Sequence, residues 1–233
     1  MQFDPPLMRG ILVRRYKRFL ADVVLPDGQE ITAHCPNPGS MKTCAEPGWV
    51  AWVTPANNPK RKLQWTLEII ESPETPILVN TSRPNSIVHA AIGSGRIPEL
   101  TGYPTLHTEV RYGENSRVDL LCRARSRPDC YVEVKNVTFL HAPGVAAFPD
   151  GVSKRAAKHM TELATMVQQG HRAVVFFLVS RTDVDRMEPA DHIDPKYGVA
   201  LREAVAQGVE AIAYRLDFTA TGIEIGSRIA IEL

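Results

Sequence analysis

Asp119 in SRVDLLC, with Glu133 and Lys135 in YVEVKNV, are the residues of this chain whose types and spacing could do chemistry. Side chains alternate between the faces of a β-strand, so Glu133 and Lys135 share one face while Val132 and Val134 take the other. The intervening RSRPD segment reads as a tight connection, which would make the two strands neighbours and bring Asp119 up to Glu133. Two carboxylates and an ammonium in one small area suit phosphodiester hydrolysis. Oxygen ligands hold a hard divalent cation, the cation lowers the pKa of water, and a positive side chain offsets charge developing on phosphate. Asp119 and Glu133 are assigned as metal ligands, with the Val134 carbonyl available as a third and Mg2+ or Mn2+ as the ion. Lys135 would orient the attacking water or stabilise the transition state, since an ammonium acts as a base only when its pKa is depressed. A further carboxylate could come from Glu99, which follows a turn, or from Glu109 in the preceding strand; Glu99 is preferred because it lies outside the strand register. The blander reading is that Asp119, Glu133 and Lys135 are solvated charges on adjacent strands, worth little energetically.

Arg9, Arg14, Arg15, Lys17 and Arg18 form a basic run without an acid, interleaved with Tyr16 and Phe19. Arg14, Arg15, Lys17 and Arg18 are assigned to phosphate, with the aromatic rings offering a stacking surface, although such runs also occur as plain solvated strand faces. Lys60, Arg61 and Lys62 make a second patch. In HCPNPGS, Asn37 and Ser40 could face a phosphate together with backbone donors, or the turn could simply be shaped by its two prolines and Gly39. Lys154, Arg155, Lys158 and His159 lie around the first turns of a helix, and Lys154 and Lys158, four apart on one face, could hold a nucleic-acid backbone or be ordinary solvated surface. His34, Cys35 and Cys44 lack a fourth partner at zinc-site spacing, so structural zinc is not expected. The chain has no phosphate-binding glycine loop followed by lysine, no dinucleotide fingerprint and no Gly-x-Ser-x-Gly elbow.

These residues need two kinds of scaffold. The first 80 or so residues read as short strands between turn formers, enough for a five-stranded oligonucleotide-binding barrel, with a sandwich as the competitor. TSRPNSIVHAAIG changes to helical spacing, with Asn85 or Ser86 as cap and Gly93 or Gly95 as stop. The boundary is therefore set near this change, with residues 1–82 as the barrel and 83–233 as an α/β domain. LHTEVRY, RVDLLCRA and CYVEVKNVTF predict a meander with a GEN turn between its first two strands. A Pro/Gly-containing loop follows, then a helix over Val152 to Gln169 in which Met160 is core. HRAVVFFLVS predicts a strand covered on both faces, followed by a helix near Pro195 to Gln207 and the strand VEAIAYRLDF. The last ten residues show no clear pattern.

Composition sets outer limits. A chain of 233 residues, 44% hydrophobic and 23% charged, can support a packed interior. A net charge of +1 means that any polyanion must be held by local patches. Four irregularly spaced cysteines predict reduced thiols. No basic leader is visible, and no apolar run reaches the roughly 18 residues of a spanning helix, so the expectation is a cytoplasmic protein without a membrane partner.

RRYKRFLADV, HCPNPGSM, SRVDLLC, YVEVKNVTF, FPDGVSKRAAKHMTEL, AVVFFLVSR and IDPKYG followed by GVEAIAYR resemble the sugar fermentation stimulation protein A family over nearly the whole chain. The resemblance implies an N-terminal oligonucleotide-binding-like β-barrel joined to a C-terminal α/β restriction-endonuclease-like domain. It further implies nucleic-acid binding and a link to the regulation of sugar metabolism, and it favours DNA over RNA. The family's acidic signature falls on Asp119, Glu133 and Lys135. Two functions fit: a DNA-binding protein with divalent-metal-dependent phosphodiester hydrolysis, or a non-catalytic DNA-binding regulator on the same scaffold.

Overall fold

A computed structural model describes residues 1–113, 116–219 and 222–233. Alternating apolar residues build the first domain from β1 (Met8–Tyr16), β2 (Leu20–Val24), β3 (Glu30–His34), β4 (Val50–Pro55) and β5 (Trp65–Glu71). These join in the order β3-β2-β1-β4-β5, and a short parallel pairing of Ala33 with Trp65 and His34 with Thr66 returns β3 to β5. The sheet therefore closes on itself, which removes its edges and distinguishes a five-stranded barrel from a sandwich. Leu12, Val23, Ala33, Val53, Leu67 and Ile70 fill the interior. Strand β6 (Pro76–Leu78) extends β5 and carries the chain out of the barrel.

The exit is set by a buried carboxylate. Glu68 on β5 is 0% exposed and accepts from the Thr54 hydroxyl, the Asn80 amide and the Arg83 guanidinium, the last through two nitrogens at 2.9 and 2.6 Å. Arg83 is the N-cap residue of α1 (Pro84–Gly93). The helix thus begins ahead of the expected Asn85 or Ser86 cap and has no side-chain cap, because Pro84 occupies the first turn, where a missing N–H costs nothing. Asn85 is left with its amide free to reach the sheet. At the other end of the chain, Met1 bonds Ile223 and Gln2 pairs with Gly222, so the first two residues sit on the second domain rather than the barrel.

After α1 and a 3-10 turn at Pro98–Leu100, the second domain runs β7 (Thr105–Tyr112), β8 (Ser116–Ala124), β9 (Arg127–Val137), β10 (Phe139–Ala142), β11 (Gly144–Phe148) and α2 (Lys154–Gln168). It continues through β12 (Arg172–Val179), β13 (Val184–Pro189), α3 (Pro195–Ala206), β14 (Glu210–Phe218), β15 (Ile223–Arg228) and β16 (Ala230–Ile231). The main sheet is ordered β15-β14-β12-β9-β8-β7, with the meander antiparallel and β9, β12 and β14 parallel. Glu114 and Asn115 of the expected GEN turn lie outside the described residues. A second sheet, β10-β11-β13-β16, occupies segments where the sequence predicts no strand; its strands are two to six residues long, too short for a clear period.

Val132, Val134, Val174, Phe176 and Leu178 pack with α1, Ile69 and Leu78 on one face of the main sheet. Leu121, Val175 and Phe177 pack with Met160, Leu163 and Leu201 of α2 and α3 on the other. Double coverage explains why β12 is apolar at nearly every position. Asp194 caps α3 through the Tyr197 N–H and also accepts from the N–H of Ser153, which itself caps α2, so the starts of both helices are tied together. No helix of the described residues is long and apolar enough to cross a membrane. All four cysteines are buried and unbridged. Phe176 is fully buried and stacked on Tyr214 with centroids 5.7 Å apart. Phe176→Ala should therefore cost about 3–5 kcal/mol in urea unfolding, through lost transfer energy and the cavity left behind.

Candidate active site

A cleft of about 710 Å³ lies between the barrel loop at residues 37–40, the start of α1, strand β9 and the start of α2. Asp119, Glu133, Val134 and Lys135 all line it. The β8–β9 pairing reaches Leu120 opposite Val132, and one step further the Val134 N–H donates to Asp119 Oδ2 at 2.7 Å. A side chain there takes a main-chain donor. Asp119 Oδ1 accepts from the Asn85 amide at 2.8 Å, which ties α1 to the same carboxylate.

Glu133 and Lys135 point to the α2 face, where they meet His159, which the sequence places among the basic residues of this helix without linking it to the carboxylates. His159 is buried, and its Nδ1 contacts Glu133 Oε1, the oxygen that also accepts from Lys135 Nζ at 2.8 Å. Arg155 Nε donates to His159 Nε2 at 3.3 Å. An arginine can only donate, so Nε2 accepts and the neutral ring carries its proton on Nδ1, directed at Glu133. One oxygen of Glu133 is thereby pinned, while the buried Oε2 has no hydrogen-bond partner. The apolar arc of α2 formed by Ala156, Met160 and Leu163 would have put His159 on the sheet side, and that signal was available in the sequence.

The two carboxylates are driven apart electrostatically. Burial first, and then the charge of Glu133, pushes Asp119 up to about 6 against the opposing hydrogen bonds from Val134 and Asn85. Burial also works upward on Glu133, but the hydrogen bond from His159 and the charge of Lys135 outweigh it and leave its pKa below the ordinary value. The nearby Tyr112 phenol is pushed up by burial and then by Glu133, Glu162 and Asp119, so the field at this end of the sheet is negative. Among the described residues no group of three His, Cys, Asp or Glu side chains is arranged to hold a metal ion. Two carboxylates, one with an unpartnered buried oxygen, nevertheless form an oxygen-rich, negatively charged spot that fits a hard divalent ion.

Other sequence-selected residues fall in different places. Glu99 is not brought to the cleft: its 3-10 turn is anchored by buried Ile97 and Leu100, and its carboxylate meets the Tyr214 hydroxyl at 2.9 Å and Arg228 at 3.1 Å. Glu109 is bracketed by the pairs Thr108–Leu120 and Val110–Val118, opposite Asp119, and lines a groove that shares Asp119 with the cleft. Its φ of 54° is a strained setting for a residue with a side chain. Arg15 donates to the carbonyls of Arg18, Asn37, Gly39 and Ser40, and Arg18 donates to that of Pro38, so both guanidinium groups brace the 37–40 loop. Arg14 pairs with Asp22 but keeps 63% of its side chain exposed, and Lys17 is exposed in the hairpin turn. Asn37 is buried and bonds Val79 and Gly39, whereas Ser40 reaches Asp150 across the domain junction. Lys154 and Lys158 lie beside the cleft without lining it, and Lys158 pairs with Glu162; Arg155 and His159, each one position further on, face inward. His34, Cys35 and Cys44 form no metal group, and the Cys35 sulfur contacts Met41.

The family models for the "SfsA N-terminal OB domain" and the "Sugar fermentation stimulation protein RE domain" match residues 13–79 and 82–222. The chain belongs to the sugar fermentation stimulation protein family. A sugar fermentation stimulation protein homolog from Maricaulis maris is 48% identical over 100% of this chain and 99% of its own length. One from Geotalea uraniireducens is 50% identical over 100% of both chains. The solved structure of Pyrococcus furiosus SfsA in complex with Ca2+ superposes with a TM-score of 0.90 at 27% identity, covering 100% of this chain and 98% of that one. The two-domain architecture, barrel followed by restriction-endonuclease-like α/β domain, is thus shared across the family.

Asp119 also makes the site legible to pH. Folded, it keeps its proton to about 6, whereas unfolded it ionises near 3.8, so the folded state holds the extra proton between these limits. Stability should therefore fall as pH rises through that window, by at most about 3 kcal/mol. Glu133, shifted the other way, adds stability that is lost as pH falls. Urea unfolding of chelator-treated protein from pH 4 to 7 should show the Asp119 contribution as a difference between wild type and Asp119→Asn; identical pH profiles would contradict it.

Proposed function

We propose that this chain binds DNA across the cleft and hydrolyses its phosphodiester backbone with a divalent ion, Mg2+ or Mn2+. The observation that carries this reading is the buried, unpartnered Oε2 of Glu133 in the same cleft as Asp119, whose pKa is raised toward 6. Asp119 and Glu133 would hold the ion, with the Val134 carbonyl and Glu109 as further oxygen donors. Such an ion acidifies water and offsets negative charge on phosphate. The Pyrococcus furiosus relative solved with Ca2+, another oxygen-seeking ion, supports the choice of metal class.

The chain's own groups do the rest. Lys135 places a positive charge beside Glu133, where it offsets charge that develops on a phosphate during attack. His159, oriented by Arg155, holds Glu133 in one position so that its second oxygen stays directed away from the imidazole. Exposed Arg14, Lys17 and Lys154 supply positive charge for the DNA backbone, and Arg155 supplies it inside the cleft. Arg15 and Arg18 act through the loop they brace. The preference for DNA over RNA rests on the family.

Purified protein should cut a mixed panel of duplex, single-stranded and branched DNA only with added Mg2+ or Mn2+. Glu133→Ala should lose more than about a hundredfold in rate while keeping most of its DNA affinity. Tight binding with no cutting by wild type, across metals and pH, would establish the non-catalytic DNA-binding regulator instead. Equal cutting by both proteins would place the activity elsewhere.

Metal affinity offers a separate check on His159. Its removal should weaken Mn2+ binding by about 10–100-fold in calorimetry. His159→Ala with unchanged Mn2+ affinity would show that the imidazole does not position Glu133.

A further inference from the structure

Phe139 lines the cleft, and two imidazole rings stand beside it. Phe139 and His141 are two apart on β10, whose pairing with β11 is irregular between Leu140 and Ala142, and His192 arrives from the turn between β13 and α3. The ring centroids lie 6.5 Å apart for Phe139 and His141, 6.0 Å for Phe139 and His192, and 4.5 Å for His141 and His192. Both histidines are exposed and Phe139 is half-buried. Glu188 lies 3.4 Å from His141 Nε2, yet 39% of the His141 side chain remains exposed. Phe139 belongs to none of the hydrophobic clusters that hold either domain together.

Phe139 lines the same cleft as Glu133 and Lys135. It follows Lys135 by four residues, at most about 13 Å along an extended strand. One DNA strand advances about 3.4 Å per nucleotide, so a backbone crossing Glu133 and Lys135 would bring a nucleotide only a few positions away to the rings. A paired base is covered on both faces by its neighbours. An unpaired base exposes a flat face, which phenyl and imidazole rings stack against without regard to sequence.

We propose that Phe139, His141 and His192 form a stacking ledge that receives an unpaired nucleobase of the strand lying in the cleft. The ledge rests on the reading of the cleft as a DNA site and narrows it to DNA with a single-stranded portion beside the scissile position. The ring faces bind the base, while Lys135 and Arg155 meet the backbone.

The test is an anisotropy titration of the full chain, in chelator, with one oligonucleotide in three forms: single-stranded, blunt duplex, and single-stranded with abasic positions in its centre. Phe139→Ala should weaken single-strand binding about tenfold and duplex binding by less than about twofold, while Phe139→Trp retains the wild-type preference. The double variant His141→Ala/His192→Ala should weaken single-strand binding in the same direction. On the abasic strand, wild type and Phe139→Ala should bind alike, because no base is left to stack. Thermal melting of each variant checks that β10 still folds. Unchanged single-strand affinity in Phe139→Ala, or an equal loss on all three forms, overturns the ledge while leaving the DNA site intact. Failure of wild type to bind any form overturns the DNA site itself, and the ledge with it.

Discussion

Burial of the carboxylates of Asp119 and Glu133, with the charge of Glu133 adding to the cost at Asp119, is what the elements around the cleft work against. A carboxylate taken out of water is costly to ionise unless donors are supplied, and more so beside a second negative charge. The chain supplies them from three directions: the Val134 N–H from the sheet, the Asn85 amide from α1, and the imidazole of His159 with the ammonium of Lys135 from the α2 face. Each donor depends on the placement of a whole element. The start of α1 is set by Arg83 on Glu68, and the start of α2 by Ser153 and Asp194.

Compensation stops short of neutrality. Oε2 of Glu133 is left without a partner and the Asp119 pKa remains raised, so the fold carries a local excess of negative charge. A structure optimised for stability alone would bury apolar groups at this point. Retained electrostatic stress at the mouth of a cleft is the usual physical signature of a place where charge is to be met by something else. The left-handed backbone of Glu109, across from Asp119, is stress of the same kind.

The barrel takes part as a wall of this cleft. Its 37–40 loop is braced from one side by Arg15 and Arg18 and from the other by Asp150, which accepts from the Ser40 hydroxyl at 3.3 Å and the Met41 N–H at 3.2 Å. A Cβ on Gly39 would stand 2.3 Å from Asp150 Oδ2, so any other residue there would push this carboxylate off its bonds to Ser40 and Met41. The basic run of β1 thus divides into residues that shape the loop and residues left to solvent, a division that composition does not show.

Strand and helix periods, being local properties of the backbone, let the sequence by itself determine the strands of the first domain, the meander, the doubly covered β12 and the two long helices, while the β3–β5 pairing decided barrel over sandwich. They also determined that Glu133 and Lys135 share a face, because residues two apart on a strand must. The sequence could not rank Glu99 against Glu109, since the difference is made by Ile97 and Leu100 locking one into the far side of the core and by pairing that sets the other opposite Asp119. The apolar arc of Ala156, Met160 and Leu163 orients α2 and so separates His159 from Lys154 and Lys158, but that His159 meets Glu133, and that Arg155 meets His159, is decided only by the packing of α2 on β9. The second sheet escaped for a related reason: strands of two to six residues hold their shape through neighbours remote in sequence, not through any period of their own. Local pattern thus settled the longer elements, and long-range packing decided the short strands and which donors converge on the two carboxylates.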